Sequence, residues 1–599
     1  MKIRIYNYFA ICMVFAFSSC TDWLQERNPN MTDKDSYWAT LDQTSATLTA
    51  AYAALVSDYA LNIREEAPRS DLATPGFGRP TYSGEGAIWH NHAYTNTTKG
   101  VQQKWEILYM GILRANQVIE GLENMESVSD NDRWIVQMAQ ARFLRGLYHF
   151  YLHCTYNNGK IIIKNKVPGT YEEMNESLSS SQEVIRFFRD DLRFAYKNLP
   201  EKYDDSSDQG RATKGAAATI LGNSYLYEAT LKNPNNVIDS LVDSATVMFE
   251  SVINSGVYKL VDDMSLLFTT AGEMNEESIF EIAFSNTINA EYNTWVEDRL
   301  SNRLAYIFDG KGSNANNVFP SIWITHAYLS EELDMLDPRN RIEDPDSPGN
   351  YVDRPVSLRA SAIIALTQDE YTGYYGGLAH NQIGFPQNEK RTQNGFSRYK
   401  IYINHDIVDD ESDLPGGKQH SGKNITLNRL GEVYMNLAEC YIYQNKIQEA
   451  INTINMVRKR WALVLLGKSN GDASHTYDEV AYTKESLLKH FRYFEKPLET
   501  SVEGHCIRWF DLRRWGLLED GAIFKERAAQ KWWTANVYVR NGDNANKWKK
   551  WSSVTNVEDV SDDDRMEIRD YQQAALNFIY EKHAWYPIPS TETLSNSDL

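Results

Sequence analysis

The chain predicts an all-α fold of tetratricopeptide-like helix pairs, with an irregular, loop-rich insert that carries a few short strands. Three observations lead there. Apolar residues recur at helical spacing through the first third, two segments carry the residue spacing of paired-helix repeats, and from about 257 to about 424 the pattern gives way to Gly, Pro, Asn and Asp. The expected organisation is a cleaved segment over 1–19 and one body over 20–599. That body has a helical part to about 256, the insert to about 424, and a second helical part over about 425–599. A prior of about 150 residues per domain would allow three or four domains, but helical folds of this kind run on as one unit.

The N-terminus comes first. Lys2 and Arg4 precede an unbroken apolar run from Phe9 to Phe17, and Ser18, Ser19 and Cys20 close it. The run is shorter than the roughly 20 residues a membrane span needs, so it reads as the h-region of a secretory signal. An ordinary signal ends in small residues, whereas this one ends in a cysteine and resembles a bacterial lipobox. On that resemblance Cys20 becomes the first mature residue and carries lipid, with several acyl chains giving durable anchoring.

Helices follow. TLTAAYAALVSDY opens the series. Trp105, Leu108, Tyr109, Ile112, Asn116 and Ile119 then fall at i, i+3, i+4, i+7, i+11 and i+14, an apolar stripe broken by one amide, so Asn116 requires buried partners. AQARFLRGLYHFYLH and QEVIRFFRDDLRFAYKNL continue the series. Between the first two helices, APRSDLATPGFGRPTYSGEGAIWHNHAYTNTTKG reads as a long loop, and loops of that length usually serve binding or stay unstructured. Leu221, Gly222 and Tyr225, with Ala245 and Phe249 after an insertion around 232–239, match a repeat unit. Tyr434, Leu437, Ala438 and Tyr441, with Ala450 and Ile454 across a short QNKI turn, match a second more cleanly. In the insert, ESIFEIAF and SRYKIYIN read as strands.

Composition excludes several functions. With 61 basic against 81 acidic residues the net charge is −20, and no basic stripe offers counterion release, so nucleic acid is not an expected ligand. Cys154, Cys440 and Cys506 are too widely spaced for a disulfide framework or a CxxC metal site, and Cys440 and Cys506 read as buried apolar side chains. His149 and His153 lie one turn apart but have no third ligand in sequence. No catalytic residue, metal ligand or cofactor is assigned, because no spacing singles out a carboxylate pair.

The aromatic supply, 15 Trp and 36 Tyr, points elsewhere. A sugar ring offers an apolar C–H face and a hydroxyl rim, so its site needs flat aromatics flanked by amides, carboxylates or imidazoles. In the long loop Asp71, Trp89, His90, Asn91 and Tyr94 supply that mixture. In the insert Tyr292, Trp295 and Asp298 do so, with Trp323 as a further candidate. In FDLRRWG, Asp511, Arg513 and Arg514 stand among Trp509, Phe510, Leu512 and Trp515. Charges in such a setting must be paired, Asp511 or Glu503 with an arginine, so the string reads as an internal clamp between helices.

NRLGEVYMNLAECYIYQNKIQEAINTINMVRKRWAL, VEGHCIRWFDLRRWG and WYPIPSTETLSNSDL together resemble the SusD/RagB family of outer-membrane nutrient-binding lipoproteins. CTDWL, KWEILYMGILRAN, ARFLRGLYHF, GRATKGAAATILGNSYLY and LDPR fit in the same order. FRYFEKPLETSVEG departs from the family's more Arg-rich approach to EG. The resemblance implies a non-catalytic, lipid-anchored protein on the outside of the outer membrane. Such a protein captures oligosaccharides and delivers them to a SusC-like TonB-dependent transporter, closing over it as a lid. A RagB-like peptide binder is the alternative, and a surface glycoside hydrolase a more distant one.

Overall fold

The computed structural model describes residues 38, 40–75, 85–125, 128, 131–231, 237–285, 301–309, 318–344, 347–373, 380, 397–403, 421–541, 544–554 and 565–599. Its longer helices, numbered here in chain order, are α1 (Leu41–Ala53), α2 (Lys99–Glu123), α3 (Asp132–Thr155), α4 (Ser181–Asn198), α5 (Lys214–Leu231), α6 (Asp239–Ile253), α7 (Leu430–Tyr443) and α8 (Ile447–Arg460). Thr40 with Gln43 and Ser180 with Glu183 form capping boxes that start α1 and α4, each satisfying backbone N–H groups that the helix itself leaves without partners. The stripe on α2 is buried as its spacing requires. Asn116 within it donates to the carbonyls of Lys164 and Lys166 and accepts from Arg145, which discharges its need for partners.

The two repeat units are helix pairs, α5 with α6 and α7 with α8, and α6 packs against α7, so the pairs stack side by side. Tyr441 donates to Glu250 across that junction at 2.7 Å. Close approach of α5 to α6 rests on Gly222, where an added Cβ would come within 2.5 Å of the Phe249 ring. Gly222→Ala is therefore expected to destabilise the fold by about 1–2 kcal/mol, the overpacking outweighing alanine's helix propensity of up to about 1 kcal/mol. Urea denaturation checks it, and an unchanged midpoint would mean the two helices part to admit the methyl without cost.

The insert is an excursion from this scaffold. Strand β1 (Ser278–Ile282) pairs antiparallel with β2 (Ile425–Arg429), and β2 runs directly into α7. The chain thus leaves and rejoins the helices at adjacent points. Ala73–Thr74 of the N-terminal part pairs with Phe319–Pro320 of the insert, and within the insert Ile364–Leu366 pairs with Ser397–Tyr399, all antiparallel. ESIFEIAF and SRYKIYIN are thus strands over part of their lengths.

One region departs from the helical expectation. Strands β3 (Trp532–Asn541), β4 (Asn544–Val554) and β5 (Arg565–Ile568) form an antiparallel sheet in the order β4-β3-β5, inside the stretch read as the second helical part. The β-branched and aromatic content of KWWTANVYVRN and the following Gly-Asp-Asn favour this hairpin over a helix. Among the described residues no helix is long and apolar enough to cross a membrane. Cys154, Cys440 and Cys506 are free and buried. Cys20 lies outside the described residues.

Candidate functional site

Asp71, Trp89, His90, Tyr94 and Trp323 come together in the structure, but in the interior. Asp71 is 0% exposed and takes a bidentate pair from Arg508 (2.7 and 2.8 Å) and two bonds from Arg527 (3.2 and 3.1 Å). Burial pushes its pKa up, yet the two guanidiniums, Arg508 above all, outweigh it and hold the carboxyl below its usual range. The Trp323 indole donates to the Asp71 carbonyl, and Arg527 lies 3.8 Å over the Trp323 ring. Trp89, 4% exposed, stacks on Tyr94 at 4.9 Å, and Tyr94 donates to the carbonyl of His583. Arg69 sits between the rings of Trp509 and Tyr586, at 3.9 and 4.2 Å, and donates to the Tyr94 hydroxyl. His90 is buried against Tyr571. Asn91, partly exposed, accepts a bond from Asn577 on its carbonyl.

The expectation of an open aromatic loop is corrected here. The segment after α1 folds into the short helix Ile63–Arg69, the pair Ala73–Thr74 and the helix Glu85–His90, and its rings fill the space against residues 507–586. A sugar platform needs an open ring face, and Trp89, Tyr94 and Trp323 have none, so their observed role is packing. Tyr292, Trp295 and Asp298 lie outside the described residues.

The FDLRRWG clamp is as expected. In α9 (Ile507–Arg514) Asp511 pairs with Lys496 at 2.9 Å and Arg514 at 2.7 Å, while Glu503 binds Arg429. Arg514 and the Trp515 indole both reach Glu439 on α7. Arg513 donates to the carbonyls of Ala584 and Cys154 and to the Tyr227 hydroxyl. His149 accepts from the Lys164 backbone N–H and bonds the Arg145 carbonyl, and His153 bonds Ser181. Among the described residues no cluster of three or more His, Cys, Asp or Glu is set to hold a metal ion.

An open site exists in the insert. A cleft of about 650 Å³ lies between residues 262–269, the segment 354–373 with its helix Leu358–Ile363, and Lys400. Its volume is in the range of small-ligand sites. Met264, Leu267, Leu358 and Ala362 give apolar surface, and the partly exposed ring of Tyr371 stands at the edge. The Arg354 guanidinium donates to the hydroxyls of Ser361 (3.2 Å) and Thr372 (3.5 Å). Buried Lys400 donates to the carbonyls of Ser361 and Gly373, and burial lowers its ammonium to about 8 against the opposing pull of Asp369. Asp262 pairs with Lys259, and Asp263 accepts from Ser265. These two lining carboxylates are adjacent on one rim, whereas a hydrolytic pair must face each other across the scissile bond. Apolar floor, aromatic edge, hydroxyls and cations suit binding.

Sequence reasoning did not single out Arg354, Tyr371 or Lys400.

Comparison with known proteins completes the picture. Residues 276–599, more than half of the chain, match the model described as the SusD family, and residues 22–226 match one described as starch-binding associating with outer membrane. SusD-like protein P25 of Formosa agariphila is 23% identical over 450 residues, 74% of each chain. A SusD homolog structure from Bacteroides thetaiotaomicron superposes with a TM-score of 0.66 at 19% identity, covering 95% of this chain and 98% of that one. The surface glycan-binding protein A of Bacteroides fluxus gives a TM-score of 0.57 at 19% identity, over 80% and 89% of the two chains.

Proposed function

The chain belongs to the SusD family, and on that premise we propose that it is a lipid-anchored surface protein that captures oligosaccharides and delivers them to a SusC-like TonB-dependent transporter, over which it closes as a lid. The observation that carries this reading is the open cleft in the insert, apolar on its floor, aromatic at its edge and hydroxyl-lined, in a chain whose N-terminal third matches a starch-binding model. On this reading the protein binds without turnover, and stacking with hydroxyl hydrogen bonds supplies recognition. The helical pairs provide the rigid body on which the insert is carried.

The test is a binding screen of soluble protein beginning after Cys20 against plant, host and microbial polysaccharides and against extended peptides. Retention by at least one glycan without release of reducing ends is expected. Preference for peptides over every glycan would replace the sugar reading with a RagB-like one, and reducing-end release would make the protein a hydrolase.

Anchoring is tested separately. Cys20→Ala is expected to leave a folded body that is released or held as precursor, because only lipid attachment is lost. Cell fractionation in a strain lacking the transporter checks it, and stable outer-membrane residence of the variant would show that another element holds the protein.

A further inference from the structure

The cleft in the insert holds two cations, Arg354 and Lys400, that make no ion pair among the described residues. Many arginines elsewhere meet carboxylates: Arg69 with Glu66, Arg145 with Asp191, Arg359 with Glu331, Arg508 and Arg527 with Asp71, and Arg514 with Glu439, although buried Arg513 ends on carbonyls and a hydroxyl. Arg354 is a second exception. Its hydrogen bonds end on two hydroxyls, its Nε has no partner, and among the described residues no carboxylate stands within ion-pair distance of it. Lys400, 3% exposed, likewise ends on two carbonyls. The acid behind both, Asp369, is engaged by the Ser361 hydroxyl and by His380. Burial lowers the pKa of both cations, and the pull of Asp369 offsets it only in part.

A cation dehydrated without an ion pair is unfavourable, and at an open cleft a ligand's negative charge would relieve that cost. The rim acids do not take this role, since Asp262 is held by Lys259 and Asp263 by Ser265. A guanidinium presents a planar fork suited to a carboxylate or sulfate, and Arg354 lines the same cleft as Tyr371 and the apolar floor. Both cations sit in a chain of net charge −20, where they offer a local attraction for an anion.

We infer that the ligand of this cleft is an anionic glycan, a sugar chain bearing carboxylate or sulfate groups, with Arg354 and Lys400 facing the charged substituent. This rests on the glycan-binding reading above and narrows it. The remaining negative surface repels a polyanion, so recognition is confined to the cleft and weakens with salt.

The experiment uses protein beginning after Cys20 and pairs of polysaccharides that differ only in charge: polygalacturonate against its methyl ester, and a sulfated galactan against the same galactan desulfated. Isothermal titration is expected to show the charged member of one pair bound about tenfold tighter or more, and which pair responds tells uronate from sulfate. Raising salt from about 50 to about 500 mM should erode that preference in the wild type. Arg354→Gln should remove most of it with the melting temperature held, and Arg354→Lys, which keeps charge without the fork, should restore part of it. Equal affinity for charged and uncharged members, or a preference indifferent to salt, overturns the inference while leaving glycan binding intact. Failure to bind any glycan overturns both. If Arg354→Gln lowers the melting temperature, the salt dependence of the wild type decides.

Discussion

Asp71→Ala is expected to destabilise the protein by about 3–5 kcal/mol, because it removes the buried carboxylate that pairs two buried arginines at once. Arg508 retains one bond to the Arg492 carbonyl, and Arg527 one to the Gln530 side chain with a longer pair to the partly exposed Glu526 at 3.6 Å, so the buried counter-charge is lost. The carboxylate also joins distant parts of the chain. It sits in the segment after α1, whereas its partners lie in α9 and in the helix Ala522–Ala529, and its own carbonyl receives the indole of Trp323 from the insert. Loss of the group should loosen all three together and appear as one cooperative shift in urea denaturation. Asp71→Asn keeps shape and one acceptor, and should cost less but still leave the charge unbalanced. A wild-type midpoint for Asp71→Ala would mean that water reaches both guanidiniums, contrary to the burial seen. A fall in glycan affinity beyond the unfolded fraction would return Asp71 to the binding surface.

That cluster also shows where sequence reading succeeds and where it stops. Helix pairing was legible because its determinants are local: the stripe on α2, the capping residues, and Gly222 facing Phe249 within one hairpin. FDLRRWG was legible as a clamp because charges so close to three large aromatics have to be paired. The loop carrying Trp89 and Tyr94 misled because its Gly, Pro, Ser and Thr content is a local property, whereas its fate is decided by partners such as His583, 489 residues further on. No window of sequence contains both. The cleft was missed for a related reason. Residues 262–269, 354–373 and 400 are each unremarkable in sequence, and only the return of β2 beside β1 and the pairing of Ile364–Leu366 with Ser397–Tyr399 bring them to one place. The sheet β3–β5 differs, since its alternation and turn residues stand in KWWTANVYVRNGDN itself, amid a stretch whose surrounding pattern is helical.

The same junction of β1 and β2 carries the second large effect. Arg429, last residue of β2, donates to both oxygens of Glu503 (2.7 and 2.8 Å), to Glu277 at 2.8 Å and to Glu499 at 2.7 Å. Glu499 is also bound by Arg460 and by the Trp461 indole, each at 2.7 Å. Arg429→Met leaves Glu503 and its neighbours buried against one another with less positive charge, and is expected to cost about 3–5 kcal/mol near pH 8. The cost should shrink on acidification. Burial pushes Glu503 up to about 7, with Glu499 and Glu277 adding to it against the pull of Arg429. A carboxyl whose folded pKa stands above its unfolded value contributes stability that is present below about 4.5 and lost as pH rises through about 7. Removing Arg429 raises that folded value further, so the variant gains relative to wild type as the pH falls from 8 to about 5, where Glu503 takes a proton. Melting at the two pH values checks this, and Glu503→Gln in the Arg429→Met background should recover part of the loss at pH 8. A variant within about 1 kcal/mol of wild type at pH 8 would show that the carboxylates find other partners. Because β1 and β2 are where the insert leaves and rejoins the helices, a loosened junction should also weaken ligand binding at the cleft while the α5–α6 pair stays folded, which proteolysis of the variant with and without glycan would reveal.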